Sequence, residues 1–177
     1  MNQKIDPVLQ ADLSRISAIF PHWPELKNKS VLITGATGLV GSMLVRTLCA
    51  APLGITVIAH VRNEEKARAM FAELPIRYCV GDVTAPVEYD GDVDFILHTA
   101  SVTASKSFVT EPVQTLMTAI DGTKNLLEFA RQKQVRGMVY VSSMEAYGLF
   151  VTQVCRDAGV PYHHGEKTIT YTACALY

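Results

Sequence analysis

The sequence predicts an α/β protein in which a parallel sheet is covered by helices on both faces. Three observations predict it. The run Val31, Leu32, Ile33 is apolar and β-branched, stops at Thr34-Gly35, and leads into apolar residues at helical spacing: Leu39, Val40, Met43, Leu44, Val45 and Leu48. Further strand-like runs follow at Ile55 to Val61, Ile76 to Val80, Val93 to Ser101 (a strand with its exit loop) and Met138 to Ser142, alternating with helical patterns. The 177 residues are 49% hydrophobic, enough for one domain with a core of its own. The first strand is expected in the centre of a doubly wound sheet whose order begins 3-2-1-4-5.

Composition narrows the function classes. A net charge of −1 argues against an electrostatic nucleic-acid binder. No apolar run reaches the ~18 residues of a membrane span, and the N-terminus carries no apolar signal region. Cys49, Cys79, Cys155 and Cys174 form no CxxC pair. Cys49 and Cys79 fall in a predicted helix and strand, so reduced, buried thiols in a cytoplasmic protein are expected. His163-His164 has no third ligand nearby, and no metal is expected.

In chain order, residues 1–30 form a helical extension. Asp6 can cap a helix that has Pro7 at its first position, with Val8, Leu9, Leu13, Ile16, Ile19 and Phe20 on one face. Pro21-His-Trp-Pro24 breaks it, and Trp23 is expected to pack the extension onto the domain. Next comes the glycine turn. Gly35 lets the chain turn off the strand, and Gly38, without a Cβ, lets a pyrophosphate approach the backbone. Gly41 lets the helix lie close to the sheet. The free N–H groups of that helix face the phosphates. Strand, glycine turn and helix together make a dinucleotide-binding fingerprint, and the fold is read as Rossmann-like. At the end of the second strand an NAD site usually carries an acid for the ribose hydroxyls. Here the residues are Ala59-His-Val-Arg-Asn63, and Arg62 can hold a 2′-phosphate by paired hydrogen bonds. NADP is therefore expected, with NAD as the alternative. Helices are expected over Glu64 to Leu74 and from Thr110-Glu111-Pro112 onward, the latter with Val113, Leu116, Met117, Ile120, Leu127 and Ala130 on one face. Gly122 interrupts it, which a close approach to the sheet would explain. Ser101 to Ser107 reads as a polar loop.

Five segments carry a family resemblance. They are Thr34-Gly-Ala-Thr-Gly-Leu-Val-Gly41, Gly81-Asp-Val-Thr84, Val93-Asp-Phe-Ile-Leu-His-Thr-Ala-Ser101, Asp121-Gly-Thr-Lys-Asn-Leu-Leu-Glu128 and Ser142-Ser-Met-Glu-Ala-Tyr-Gly148. Together they resemble the extended short-chain dehydrogenase/reductase family, of the epimerase/dehydratase, nucleotide-sugar type. The resemblance implies that Asp82 contacts the adenine edge and Val83 packs on its ring. It implies that Thr99 and Ala100 pass beside the ribose and pyrophosphate. Ser143 would be the catalytic hydroxyl that hydrogen-bonds the reacting sugar oxygen. The expected cofactor set is Gly35, Thr37, Gly38, Leu39, Val40, Arg62, Asp82, Val83, Thr99 and Ala100. A nucleotide-sugar substrate is implied, and a homodimer is left open.

The pattern also departs from the family. Ala119 stands where the family usually has asparagine. Met144-Glu145 replaces the dehydratases' Asp-Glu pair, which favours an epimerase, decarboxylase or reductase. Tyr-x-x-x-Lys, whose lysine would lower the pKa of a proton-moving tyrosine, does not occur in the sequence. The expectation is a dinucleotide-binding domain over 31–148, truncated before the substrate domain, with an atypical tail over 149–177. Three readings stay open: a catalytically incomplete cofactor half of a nucleotide-sugar oxidoreductase, a non-catalytic dinucleotide-binding module, and a truncated remnant.

Overall fold

A computed structural model of the chain describes residues 6–103, 105–142 and 175–176. The expected sheet is present. The strands are β1 (Ser30–Thr34), β2 (Thr56–Val61), β3 (Ile76–Val80), β4 (Phe95–His98), β5 (Gly137–Tyr140) and the short β6 (Ala175–Leu176). They lie in the order β3-β2-β1-β4-β5-β6, with β1 to β5 parallel and β6 antiparallel on the β5 edge.

Period two along each strand splits the core into two layers. Val31 and Ile33 of β1 share one layer with Val57, Ala59 and Val61 of β2. That layer is covered by Val45 and Leu48 of α2 (Leu39–Ala50) and by Ala67 of α3 (Glu64–Met70), with Phe71 beside it. Leu32, Ile58, Ile96 and Met138 face the opposite side. There Leu126 and Phe129 of α5 (Pro112–Lys133) cover them. Helices therefore lie on both faces, as a doubly wound sheet requires.

At the N-terminal end of the sheet Asp94 ties three strands together. Its carboxylate accepts from the Ser30 N–H at 2.9 Å and lies 3.3 Å from Lys29 Nζ and 3.7 Å from Arg136 Nε. The Ser30 hydrogen bond, aided by the two cations, holds this carboxyl below its ordinary range.

The extension folds as α1 (Pro7–Ile19), with Asp6 Oδ1 accepting from the Val8 and Leu9 N–H groups. No residue of α1 is buried: Leu9, Leu13 and Ile16 are half-covered where it lies against α2. Trp23 packs on the α2 side of the core and donates its Nε1–H to the Ser17 carbonyl at 3.0 Å.

Four expectations are corrected. The helix from Glu64 ends at Met70, because Pro75 keeps Leu74 out of helical geometry and the chain closes a turn from Leu74 N to Phe71 O instead. Ser105–Thr110 is a short helix, α4, where the sequence predicts a loop over 101–107, and Thr110 belongs to it, donating its hydroxyl to the Lys106 carbonyl, while Glu111 is the N-cap of α5. Gly41 makes its close approach to the Gly35-Ala36 turn, and Gly122 to Val83 in the loop after β3, rather than to the sheet. Cys79 is buried, but Cys49 is only half-covered. Burial pushes both thiols up to about 11, so they stay protonated at neutral pH.

Candidate functional site

The expected cofactor residues gather at the C-terminal ends of β1 to β4. β1 hands over to Gly35 at φ +64, a backbone state open to glycine at little cost. A Cβ on Gly35 would meet Ala100 N at 2.8 Å, so the exit loop of β4 lies directly on this glycine. Gly38 N donates to Gly35 O at 2.8 Å, closing the turn.

Gly38 is also the N-cap of α2, and it has no side chain with which to cap the helix. The first N–H groups of a helix lack partners within it, and here no side chain among the described residues caps them. Leu39 is 86% exposed and Val40 is exposed beside it, although both are apolar. A helix of 12 residues that starts on a glycine turn, uncapped and rimmed by exposed apolar residues, suits a ligand with an anionic group and an apolar ring.

The loop after β4 is fastened to the end of β1. Thr99 Oγ1 donates to Thr34 O at 2.6 Å, and Ala100 N donates to Thr34 Oγ1 at 3.2 Å. Thr34 Oγ1 lies 2.6 Å from His98 Nδ1. Thr34, His60 and His98 occupy the same register level of β1, β2 and β4, and all three are buried. Burial drives the His98 imidazole down to about 4, and the neighbouring His60 adds to the effect. Burial also lowers His60, partly opposed by Asp82.

Arg62 and Asp82 form a second group at the ends of β2 and β3. Arg62 is exposed, and its Nη1 lies 3.6 Å from Asp82 Oδ2. Asp82 Oδ1 accepts from the Thr84 N–H at 2.9 Å and its hydroxyl at 2.8 Å. The backbone bond in particular, with help from Arg62, holds the carboxyl below its ordinary range. Val83 is buried against Gly122, and its carbonyl accepts from Asn125 Nδ2 at 2.9 Å.

The structure therefore brings Gly35, Gly38, Thr99 and Ala100 into one contact, and Arg62 and Asp82 into another one strand away. Thr37 is half-covered within the turn. Ser143 lies outside the described residues. A hollow of about 230 Å³ opens beside Ser101 and Val102, between α4 and α5, and Ala119 forms part of its wall. The sequence pattern did not single out Thr34, His98 or Asn125. The available signal for Thr34 and His98 was a polar residue at the last position of each of two adjacent, otherwise apolar strands.

Comparison with known proteins agrees with this geometry. A family model described as the NAD dependent epimerase/dehydratase family matches residues 31–172, running past Gly148. An uncharacterized oxidoreductase of Schizosaccharomyces pombe is 34% identical, over 71% of this chain and 40% of its own length. UDP-glucuronic acid decarboxylase 2 of Arabidopsis thaliana is 30% identical, over 77% of this chain and 31% of its own. Among solved structures, a UDP-galactose 4-epimerase superposes with a TM-score of 0.58 at 29% identity, covering 67% of this chain and 40% of that one. The chain thus spans less than half the length of these relatives.

Proposed function

Since the chain belongs to the NAD dependent epimerase/dehydratase family, we propose that residues 31–148 form the dinucleotide-binding part of a nucleotide-sugar oxidoreductase and that the dinucleotide is NADP. The observation that carries the proposal is the uncapped start of α2 on a glycine turn against which the Thr99-Ala100 segment rests. A Cβ at Gly35 would run into that segment.

A nicotinamide dinucleotide, when bound, supplies a carbon that accepts and returns hydride. The protein's own residues do the rest. The N–H groups of Leu39 and Val40 at the start of α2 receive the pyrophosphate. Thr37 and the Thr99-Ala100 segment border it. Asp82 accepts from the adenine edge, and Val83 closes the pocket beneath it. Arg62 holds a 2′-phosphate, while Asp82 keeps the guanidinium at the rim before the ligand arrives. Ser143 hydrogen-bonds the reacting sugar oxygen. The relatives named for UDP-sugar chemistry support a nucleotide-sugar substrate.

The test is a titration of the purified chain with NADPH and NADH, followed by fluorescence. NADPH should bind more tightly. Arg62→Ala should weaken NADPH by about tenfold or more and leave NADH within about twofold, the size expected for one charge-assisted contact. Equal losses for both would remove Arg62 from the site. A second reading, a dinucleotide-binding module without catalysis, is favoured by the lack of any Tyr-x-x-x-Lys in the 177 residues.

A further inference from the structure

We propose that Thr34 and His98 are positioning residues that hold the Thr99-Ala100 wall of the groove at the height where it meets the dinucleotide. The proposal rests on the binding reading above. It comes from what a buried threonine does at the end of an otherwise apolar strand.

β1 reads Ser-Val-Leu-Ile-Thr, and Thr34 is fully buried. A valine has the same shape and would fill this site without desolvating a hydroxyl. Strand pairing does not need the hydroxyl either, since β1 bonds to β2 and β4 through its backbone. What the hydroxyl adds is a link between three segments. Ala100 N donates to it at 3.2 Å, and it lies 2.6 Å from His98 Nδ1. A neutral imidazole offers Nδ1 as an acceptor when its proton sits on Nε2. The direction is then Ala100 N–H to Thr34 Oγ1, and Thr34 O–H to His98 Nδ1. A chain of hydrogen bonds running one way strengthens each member.

The ring itself has little freedom. Tyr140, the register partner of His98 on β5, meets it edge to face with centroids 5.2 Å apart. On the other side Thr34 separates it from His60 in the same register row. The Thr34 carbonyl holds the same loop a second time, accepting from Thr99 Oγ1 at 2.6 Å. The loop fixed in this way rests on Gly35, where no side chain could fill a gap if it drifted. A shift of Ala100 would alter the space between the glycine turn and the wall opposite it.

The experiment uses the 177-residue chain labelled with nitrogen-15, as wild type and as Thr34→Val, Thr34→Ser, His98→Leu and His98→Asn. Three quantities are read: exchange of the Ala100 amide relative to that of Leu32, the protonation of His98 Nδ1, and the NADPH dissociation constant well below the melting temperature. Thr34→Val and His98→Leu should each speed Ala100 exchange relative to Leu32 by about tenfold and weaken NADPH to a similar degree. Thr34→Ser and His98→Asn keep a hydroxyl or an acceptor in place and should stay within about threefold of wild type. In the wild type His98 Nδ1 should be unprotonated at neutral pH, a measurement that needs no variant to fold.

A protonated Nδ1 overturns the proposal. So does a melting temperature that drops in Thr34→Val and His98→Leu while relative Ala100 exchange and NADPH affinity hold, because that describes a merely structural pair. If the wild type binds neither NADPH nor NADH, the binding reading fails and the purpose assigned to the pair fails with it. Unchanged Ala100 exchange beside normal wild-type binding overturns the pair alone.

Discussion

Protonation of one imidazole is a stability statement. The His98 ring is held at about 4 by burial, whereas an unfolded histidine titrates near ~6.5. Between those values the unfolded chain binds the proton and the folded chain does not, so stability rises with pH through this window. The contribution is fully present above ~6.5 and is lost as pH falls to about 4. Its full size is about 3 kcal/mol, roughly 6–12 °C in melting temperature for a domain of this size. His60 shifts in the same direction and adds to the slope. His98→Asn should therefore reduce the pH dependence of the melting temperature in this window without abolishing it. A slope equal to wild type would assign the whole effect to His60. Asp82 and Asp94, held low by backbone N–H groups, act further down, below about 3.8, where their protonation removes stability in turn.

Helix α2 and helix α5 each contain one close-packed glycine, and the two should respond differently to alanine. At Gly41 an added Cβ would run into the Gly35 carbonyl and come within 2.9 Å of Ala36 Cα, all of it backbone. Gly41→Ala should cost about 3 kcal/mol and weaken dinucleotide binding by disturbing the turn. At Gly122 the neighbours are Val83 Cγ2 at 3.0 Å and Val83 Cβ at 3.3 Å, a crowding that a shift of a few tenths of an ångström relieves. There the gain in helix propensity, about 1 kcal/mol, offsets the crowding, and the melting temperature should stay within about 3 °C. Thermal melts of the two variants decide it, and equal losses would contradict the contrast. The same elements show what a sequence makes legible. The sheet order and the glycine turn were, because Val31-Leu-Ile33 and the spacing of Gly35, Gly38 and Gly41 are local signals. Helix α4 was not, because Ser105-Lys-Ser reads as loop until Phe108 and Val109 are placed. Nor was the grouping of Thr34, His60 and His98, which depends on the register between strands far apart in sequence. The helix read in α1 is present, and what spacing left unsaid is how far its apolar face is covered. Its spacing is helical, but the extension covers it only in part.

Across the whole molecule the sheet is tied at both ends, by Asp94 below and Thr34 above, and the residues proposed to hold the dinucleotide lie at the upper end. The matched part covers only 31–40% of the relatives' own lengths, and no tyrosine of the sequence has lysine four residues on. A missing general base costs a factor of roughly 10²–10⁴, and missing substrate contacts cost positioning as well. The 177 residues on their own should therefore bind NADPH yet show no sustained NADP reduction with a panel of nucleotide sugars. Steady turnover would mean that a residue of the 149–177 segment supplies the base. The two ties also order events in time. Ser30 is bonded to Asp94, and Thr34 to His98, each across 64 residues. β1 is synthesised early, yet its second neighbour, β4, comes after β2 and β3. Closing so long a loop is entropically slow and makes the central strand among the last to be completed. During synthesis the glycine turn has no partner to rest on until Ala100 has emerged, so the nascent chain gains this contact only after β4 has been made.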